Sequence, residues 1–203
     1  MAAPQFQINT DGCSEEGKQA LLEAITIVED FPKPGLRFKE LTNVLTNYIA
    51  FQAVVDAFAK RYRAMGVTAV VGIESRGYAY ASPVALALGV PFVPFRKPGK
   101  MPCKSVGVDF NLGGWNKSAS FGKDRLECRE DGLKPGAKVL IIDDLLGTGA
   151  TLIGACALVE HVKAEVVECA CVVDMPALNG RTNVPKPTFI LVDDLSTEGA
   201  ASS

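Results

Sequence analysis

One stretch of the sequence, VLIIDDLLGTGAT at residues 139–151, restricts the fold more than any other. Its first four residues are aliphatic, as is typical of a parallel strand that is buried on both faces. Asp143 and Asp144 follow where that strand is expected to end. Because ligands bind in the crevice at the carboxyl edge of an open α/β sheet, the pattern predicts a parallel sheet with two carboxylates above a ligand site.

The five residues after Leu146 are small or carry a hydroxyl group. They are Gly147, Thr148, Gly149, Ala150 and Thr151. Such residues let the backbone approach an anion closely, and the helix predicted at residues 152–163 would turn its positive end toward the same anion. No Lys follows the glycines, so the pattern is not the GxxxxGK[ST] loop of nucleoside triphosphatases. The plainer alternative is a strand, turn and helix with solvated acids, which leaves the paired Asp residues and the small-residue loop unexplained.

The rest of the chain alternates between apolar runs and amphipathic segments. Strands are predicted at residues 68–73, 90–95, 165–173 and 188–192, and helices at residues 18–29, 52–65 and 79–88. This order is typical of βαβ units in a parallel sheet. Residues 1–16 are expected to be loosely ordered, and residues 96–117 to form a long irregular loop. Since no linker or internal repeat is visible, residues 1–203 are predicted to form one domain.

Composition and charge exclude several classes of protein. A net charge of -2 gives no general attraction to nucleic acid, so local clusters must bind any anion. The six cysteines contain no CxxC pair, which favours reduced thiols inside the cell over a metal site. The N-terminus lacks the basic start and apolar core of a secretory signal, and prolines interrupt the longest apolar tract, residues 78–95. A cytoplasmic protein without a membrane span is therefore predicted.

Two basic groups are candidates for binding further phosphates. Arg76 lies in IESRG, which closes the strand at residues 68–73 and brings the guanidinium to the same sheet edge as the paired Asp residues. An Arg fork suits pyrophosphate, although a strand that ends in this way is more often followed by a solvated Arg. The second group surrounds Gly99 and two prolines, and it forms either a lid for a polyanion or a solvated loop. Its members are Arg96, Lys97, Lys100 and Lys104.

A third segment, FPKPGLRFKE at residues 31–40, places two aromatic rings on a turn that two prolines stiffen. Phe38 is a candidate for stacking on a flat base, and packing of its ring in the core is an equally good interpretation. The single histidine, His161, falls near the end of a predicted helix, where a structural role is favoured.

Four motifs resemble, in their order along the chain, those of the adenine phosphoribosyltransferase family over roughly residues 20–195. They are FPKPGLRF, VGIESRG, FRKPGKMP and VLIIDDLLGTGAT. The resemblance implies a type I phosphoribosyltransferase fold, which is a doubly wound five-stranded parallel α/β sheet with a small N-terminal hood and a flexible flap. The hood would take about residues 1–45 and the flap residues 96–121. The implied reaction belongs to purine salvage: adenine and phosphoribosyl pyrophosphate (PRPP) give AMP and pyrophosphate, with Mg²⁺ carried on PRPP. The family is usually homodimeric.

The same resemblance implies a role for each motif. Asp143, Asp144 and Arg76 would be catalytic, with the carboxylates at the ribose hydroxyls or the metal shell, while residues 147–151 would wrap the 5-phosphate. Pyrophosphate would be held by Ser75, Arg76, Arg96, Lys97 and Lys100, and adenine by Arg37, Phe38, Lys39 and Met175. It also implies a cis peptide bond between Glu74 and Ser75, and no metal ligands apart from those that PRPP brings.

Several positions depart from the family pattern. Ser120 and Phe121 replace a Glu-Tyr pair at the end of the flap to which an acid-base role has been assigned. Lys39 replaces an Arg, and Ala150 replaces a Gly. The candidates for supplying the missing carboxylate are Asp109, Asp124 and Glu127. The sequence leaves all three open.

The choice of base and the alternatives to catalysis follow from a few residues. Gly147 stands where transferases for 6-oxopurines carry an Asp, so adenine or an aminopurine analogue is favoured over hypoxanthine, guanine and xanthine. Two alternatives stay open: a transferase for another purine base, and a PRPP-binding regulator that has lost base turnover. The absence of a DNA-binding helix pair or basic arm disfavours the regulator, and neither nucleic acid nor a membrane is expected as a partner.

Overall fold

The computed structural model describes residues 6–10, 12–110 and 124–195. Within these residues the strands are β1 (Phe6–Ile8), β2 (Thr26–Glu29), β3 (Arg37–Glu40), β4 (Ala69–Ile73), β5 (Phe92–Phe95), β6 (Ser105–Phe110), β7 (Asp124–Arg129), β8 (Lys138–Leu146), β9 (Glu165–Asp174) and β10 (Thr188–Asp194). The helices are α1 (Glu15–Ala24), α2 (Thr42–Thr46), α3 (Tyr48–Tyr62), α4 (Arg76–Leu88), α5 (Ala150–His161) and α6 (Gly180–Asn183), and a 3₁₀ turn covers Pro176–Leu178. None of the helices in the described residues has the length and apolar character that a membrane span requires.

The central sheet has six strands in the order β1-β10-β9-β8-β4-β5. The five strands from β10 to β5 are parallel, which confirms the predicted five-stranded parallel sheet. The sixth, β1, pairs antiparallel with β10, from Phe6 opposite Asp194 to Ile8 opposite Val192. The expectation of a loose N-terminus is therefore wrong for residues 6–8, because their pairing covers the open edge of β10.

Helices cover both faces of this sheet because its central strands are apolar on both sides. The four aliphatic residues that begin the stretch at 139–151 are fully buried in β8. Successive side chains of a strand point to opposite faces. Leu140 and Ile142 accordingly pack in the core formed with α1, α3 and α4, and Val139 and Ile141 pack in the core formed with α5. The predicted alternation of strands and helices is confirmed, and it brings the carboxyl ends of the parallel strands to one edge.

Within the predicted hood, at about residues 1–45, β2 and β3 form a β-hairpin, which corrects the helix predicted at residues 18–29. The helix α1 ends at Ala24, and β2 pairs antiparallel with β3 from Thr26 opposite Glu40 to Glu29 opposite Arg37. The β-branched run at residues 25–28 favours a strand, and this preference outweighs the helical spacing of the apolar side chains.

Residues 105–110 form a strand, which corrects this part of the irregular loop expected over residues 96–117. The flap stalk consists of β6 and β7, paired antiparallel from Ser105 opposite Arg129 to Phe110 opposite Asp124. Apolar residues alternate with small or polar ones along β6, which is the strand period. Phe110 packs on α5 at Gly154, where a Cβ atom would lie 2.5 Å from ring carbon Cδ1. Ser120 and Phe121 lie outside the described residues.

Candidate active site

Two adjoining cavities lie at the carboxyl edge of the parallel strands. The first, the cradle lobe, has a volume of about 240 Å³ and is lined by residues 143–152, Phe38, Arg76 and Met175. The second, the flap lobe, has a volume of about 400 Å³ and is lined by residues 73–76, Lys97, Phe110, Asp124, Leu126, Asp143, Asp144 and Thr151. Arg76 and both Asp residues line the two lobes, so the paired carboxylates stand where the lobes meet.

The loop at residues 147–151 closes one end of the cradle lobe. Gly149 precedes α5 with a φ of +84°, a conformation that favours glycine. A Cβ atom at this position would also lie 2.9 Å from Cγ2 of Val184 and 3.0 Å from the carbonyl oxygen of Gly180. The next backbone N–H groups belong to the first turn of a helix of 12 residues, whose positive end favours an anion. The loop therefore has the geometry of a phosphate site.

A segment that the sequence reasoning missed supports this loop from outside. It comprises residues 176–184, and a Cβ atom on Gly180 would collide with the carbonyl oxygen of Gly147. The side-chain amide of Asn183 donates from Nδ2 to the carbonyl oxygen of Thr148 at 3.0 Å. The signal in the sequence is the Asn-Gly pair at residues 179–180, which marks a turn but does not show what the turn packs against.

The paired carboxylates differ in their partners. Oδ2 of Asp144 lies 2.6 Å from Nε of Arg76, whereas Oδ1 of Asp143 accepts the backbone N–H of Asp144 at 3.0 Å. Burial raises the pKa of both carboxyl groups. The charge of Asp144 raises the pKa of Asp143 further, whereas the charge of Arg76 opposes the rise in the pKa of Asp144. Gly77 permits the close packing of α4 on β8, since a Cβ atom there would lie 2.9 Å from the carbonyl oxygen of Ile142.

The raised pKa of Asp143 leads to a prediction for stability. A carboxyl group with a higher pKa in the folded state stabilises the fold fully below its unfolded pKa of about 3.9 and loses that contribution as the pH rises through the folded value. We expect Asp143→Asn, which cannot ionise, to have a higher free energy of unfolding than the wild type at about pH 8, and a smaller difference at about pH 4. Urea unfolding at several pH values measures this, with the surface variant Asp131→Asn as a control. Lower stability of Asp143→Asn at every pH would contradict the expectation.

Phe38 of the hood and Met175 after β9 border the cradle lobe. The ring of Phe38 meets that of Phe31 edge-on with centroids 5.2 Å apart, and Cζ of Arg76 lies 5.9 Å from the Phe38 centroid. The backbone N–H of Met175 donates to the carbonyl oxygen of Leu146 at 2.8 Å, which fixes it beside the loop. An aromatic ring and a thioether on the same cavity suit a flat heteroaromatic group.

Lys39 and Arg37, also predicted at the base, line neither lobe. Lys39 is 2% exposed, and its Nζ donates to the carbonyl oxygen of Asp174 at 2.6 Å and lies 3.5 Å from Oδ2 of Asp194. Burial lowers the pKa of Lys39, and the charges of Asp194 and Asp174 oppose this. Arg37 pairs with Glu29 at 3.2 Å and with Asp194 at 3.5 Å. Both side chains thus hold the hood on the sheet, at the end of β10 and at the end of β9, which directly precedes Met175.

The residues predicted for pyrophosphate divide into two groups. Ser75, Arg76 and Lys97 line the flap lobe, and the Glu74–Ser75 peptide bond is cis, as expected. Arg96 instead donates from Nη2 to Oε1 of Glu74 at 2.9 Å and from Nη1 to the carbonyl oxygen of Lys100 at 2.8 Å. The hydrogen bond from Arg96, and to a lesser extent its charge, holds the pKa of Glu74 below its usual value. Arg96 and Lys100 therefore shape the base of the flap beside the lobe.

The sequence profile of the phosphoribosyl transferase domain matches residues 40–187. An adenine phosphoribosyltransferase of Arabidopsis thaliana is 42% identical over 170 residues, which cover 83% of this chain and 90% of the relative. One of Chloroflexus aurantiacus is 42% identical over 176 residues, which cover 86% of this chain and 98% of the relative. The chain belongs to the adenine phosphoribosyltransferase family.

Solved structures of the adenine phosphoribosyltransferase family share this fold. The crystal structure from Rhodothermus marinus has a TM-score of 0.77 at 34% identity and covers 89% of this chain and 99% of its own. That from Saccharomyces cerevisiae, in complex with an imino-altritol bisphosphate and adenine, has a TM-score of 0.76 at 31% identity and covers 86% and 98%. The type I phosphoribosyltransferase fold expected from the sequence is thereby confirmed.

Proposed function

We propose that this chain transfers the phosphoribosyl group of PRPP to adenine and so forms AMP and pyrophosphate in purine salvage. The observation that carries the proposal is the position of Asp143, Asp144 and Arg76 at the junction of the two lobes. A ligand with a phosphate at each end and its reacting carbon in the middle fits this arrangement. The yeast relative in complex with a sugar-like bisphosphate and adenine supports it.

In this proposal the cradle lobe holds the 5-phosphate through the backbone N–H groups and threonine hydroxyls of residues 147–151. The ribose lies over Asp143 and Asp144, whose carboxylates contact its hydroxyls and stabilise the positive charge that develops at the anomeric carbon. Arg76 uses Nε for Asp144, so its remaining N–H groups are available to pyrophosphate. Ser75 and Lys97 of the flap lobe complete the pyrophosphate site.

The reaction is a direct displacement. N9 of adenine forms a bond to the anomeric carbon, the bond from that carbon to pyrophosphate breaks, and the electron pair leaves with pyrophosphate. The proton on the purine nitrogen is lost to water, and its charge is balanced by the electron pair that pyrophosphate carries away. Adenine stacks between Phe38 and Met175, and the backbone at Arg37 contacts its Watson-Crick edge. Lys39 acts on the base through the carbonyl oxygen of Asp174, which it holds at 2.6 Å.

Mg²⁺ enters this proposal bound to PRPP. The described residues contain no group of three His, Cys, Asp or Glu side chains that could hold a metal ion, so the substrate has to supply most of the oxygen ligands. When bound, the ion would neutralise the charge of the leaving pyrophosphate. We also propose a homodimer, as in the family pattern, and a cytoplasmic location, which the six free cysteines support.

The decisive experiment measures AMP formation from adenine beside hypoxanthine, guanine and xanthine, together with calorimetry of PRPP binding in the presence of Mg²⁺. We expect PRPP to bind and adenine to be the preferred base. Preferred turnover of a 6-oxopurine would assign another base, and PRPP binding without turnover of any base would identify a regulator. Absence of PRPP binding would reject the proposal.

A further inference from the structure

The flap lobe has more acidic than basic side chains, although it is proposed to hold a highly charged anion. Its lining in the described residues includes four carboxylates, those of Glu74, Asp124, Asp143 and Asp144, and two cations, Arg76 and Lys97. Glu74 is neutralised by Arg96, and Asp144 by Arg76. Asp143 and Asp124 remain, of which Asp143 lies where the two lobes meet and Asp124 lines the flap lobe alone. A carboxylate facing pyrophosphate repels it unless a cation lies between them.

Asp124 also differs from Asp109 and Glu127, the other two candidates for supplying the carboxylate that the family pattern has at the end of the flap. Nη1 of Arg125 lies 2.9 Å from Oδ1 of Asp109, and its Nε lies 3.1 Å from Oε1 of Glu127. Neither of these carboxylates lines a lobe, whereas Asp124 lines the flap lobe. Asp124 accepts the backbone N–H of Arg125 at 2.9 Å, and no Lys or Arg side chain in the described residues forms a salt bridge with it.

The position of Asp124 is fixed through α5, the helix that follows the loop at residues 147–151. It lies opposite Phe110 in the flap stalk, and Phe110 packs on α5 at Gly154, where no Cβ atom fits. The start of α5 forms the proposed 5-phosphate site, so one helix sets the distance between that site and Asp124. The proposed base shelf of Phe38 and Met175 lines the other lobe. Asp124 therefore faces the leaving group and not the purine.

We infer that the carboxylate of Asp124 ligates the Mg²⁺ ion carried by pyrophosphate, an inference that rests on the proposed function. Mg²⁺ in proteins is usually bound by one or two carboxylates together with substrate phosphates and water. An acidic residue that lines only the flap lobe, and that forms no salt bridge with a Lys or Arg side chain in the described residues, fits this requirement. The residue selects the magnesium complex of pyrophosphate and disfavours the free anion.

Calorimetry with inorganic pyrophosphate tests the inference, on the full-length wild type, Asp124→Asn and the matched control Asp109→Asn. With saturating Mg²⁺ we expect Asp124→Asn to bind at least about 10-fold more weakly, as for lost contacts around a metal. With a chelator in place of Mg²⁺ we expect it to bind roughly 5-fold more tightly, because a like charge near the anion is removed. Asp109→Asn should match the wild type in both conditions, and Asp124→Glu should recover part of the Mg²⁺-dependent affinity.

The opposite changes in the pyrophosphate affinity of Asp124→Asn, weaker with Mg²⁺ and tighter without it, separate a metal ligand from a structural residue or a proton-transfer residue. Equal weakening with and without Mg²⁺ would overturn the inference and indicate a structural effect, which urea unfolding of the variant would show independently. A lower kcat with unchanged Mg²⁺-dependent binding would also overturn it and would assign Asp124 to proton transfer. If the wild type binds neither pyrophosphate nor PRPP with Mg²⁺, the proposed function itself fails.

Discussion

We expect Asp144→Asn to lower kcat/KM for AMP formation by about a thousandfold. The substitution keeps the shape of the side chain but removes the negative charge proposed to face the anomeric carbon. It also leaves Arg76, whose Nε lies 2.6 Å from Oδ2 of Asp144, without its anionic partner. Steady-state kinetics with saturating PRPP and Mg²⁺ measure the loss.

Folding should be much less affected than catalysis in this variant. Burial raises the pKa of Asp144, so its ionised form costs stability at neutral pH, and a neutral amide is tolerated there. Asp131→Asn is the matched control, because Asp131 also pairs with an Arg but lies 69% exposed on the surface. Parallel losses of activity and of the free energy of unfolding would show that Asp144 is a structural carboxylate.

Gly180→Ala is expected to raise KM for PRPP by about a hundredfold, although Gly180 lines neither lobe. Its new methyl group would collide with the carbonyl oxygen of Gly147 and press on the side chain of Leu146. The loop can relieve the collision only by shifting, and a displacement of about 1 Å in a positioning element can cost a factor of about 100. Kinetics at varied PRPP and calorimetry of PRPP binding measure the effect.

Gly132→Ala provides the comparison for this variant. Gly132 lies in a turn before β8. A Cβ atom there would come no closer than 3.1 Å to its nearest neighbour, the carbonyl oxygen of Arg129, which is a much milder contact than the one at Gly180. This variant should retain the KM of the wild type. Unchanged PRPP binding by Gly180→Ala, with an intact fold, would show that residues 176–184 do not position the loop.

The fold could be predicted where a pattern has one structural solution. The aliphatic run of β8, followed by acids and small residues, strongly favours a buried parallel strand that ends at a ligand edge. The run at residues 25–28 was ambiguous, because helical spacing and β-branched side chains favoured different structures, and pairing with β3 decided it. Residues 6–8 have no strong pattern of their own, and their strand exists because β10 offers an edge.

The site was predictable where the type of a residue implies its chemistry. It was less predictable where a residue's role depends on which side chains lie near it in the fold. Both carboxylates, Arg76 and the small-residue loop line the lobes as the motifs indicated. Lys39 lies beside the lobes with a partner 135 residues away, and Arg96 is turned to Glu74 at the end of the neighbouring strand; composition and spacing reveal neither contact. The support from Gly180 was missed because a glycine shows its importance only through what its absent side chain would strike.

The anchoring of the hood has a consequence for engineering. Lys39 and Arg37 are joined to Asp174 and Asp194, so the proposed base shelf is built jointly by two stretches more than a hundred residues apart. Replacing residues 26–40 of this chain would remove both basic side chains that lie within salt-bridge distance of the buried Asp194. If the proposed base shelf sets the choice of nucleobase, we expect recombination to alter that choice without loss of stability only when the hairpin and the carboxyl ends of β9 and β10 are exchanged together.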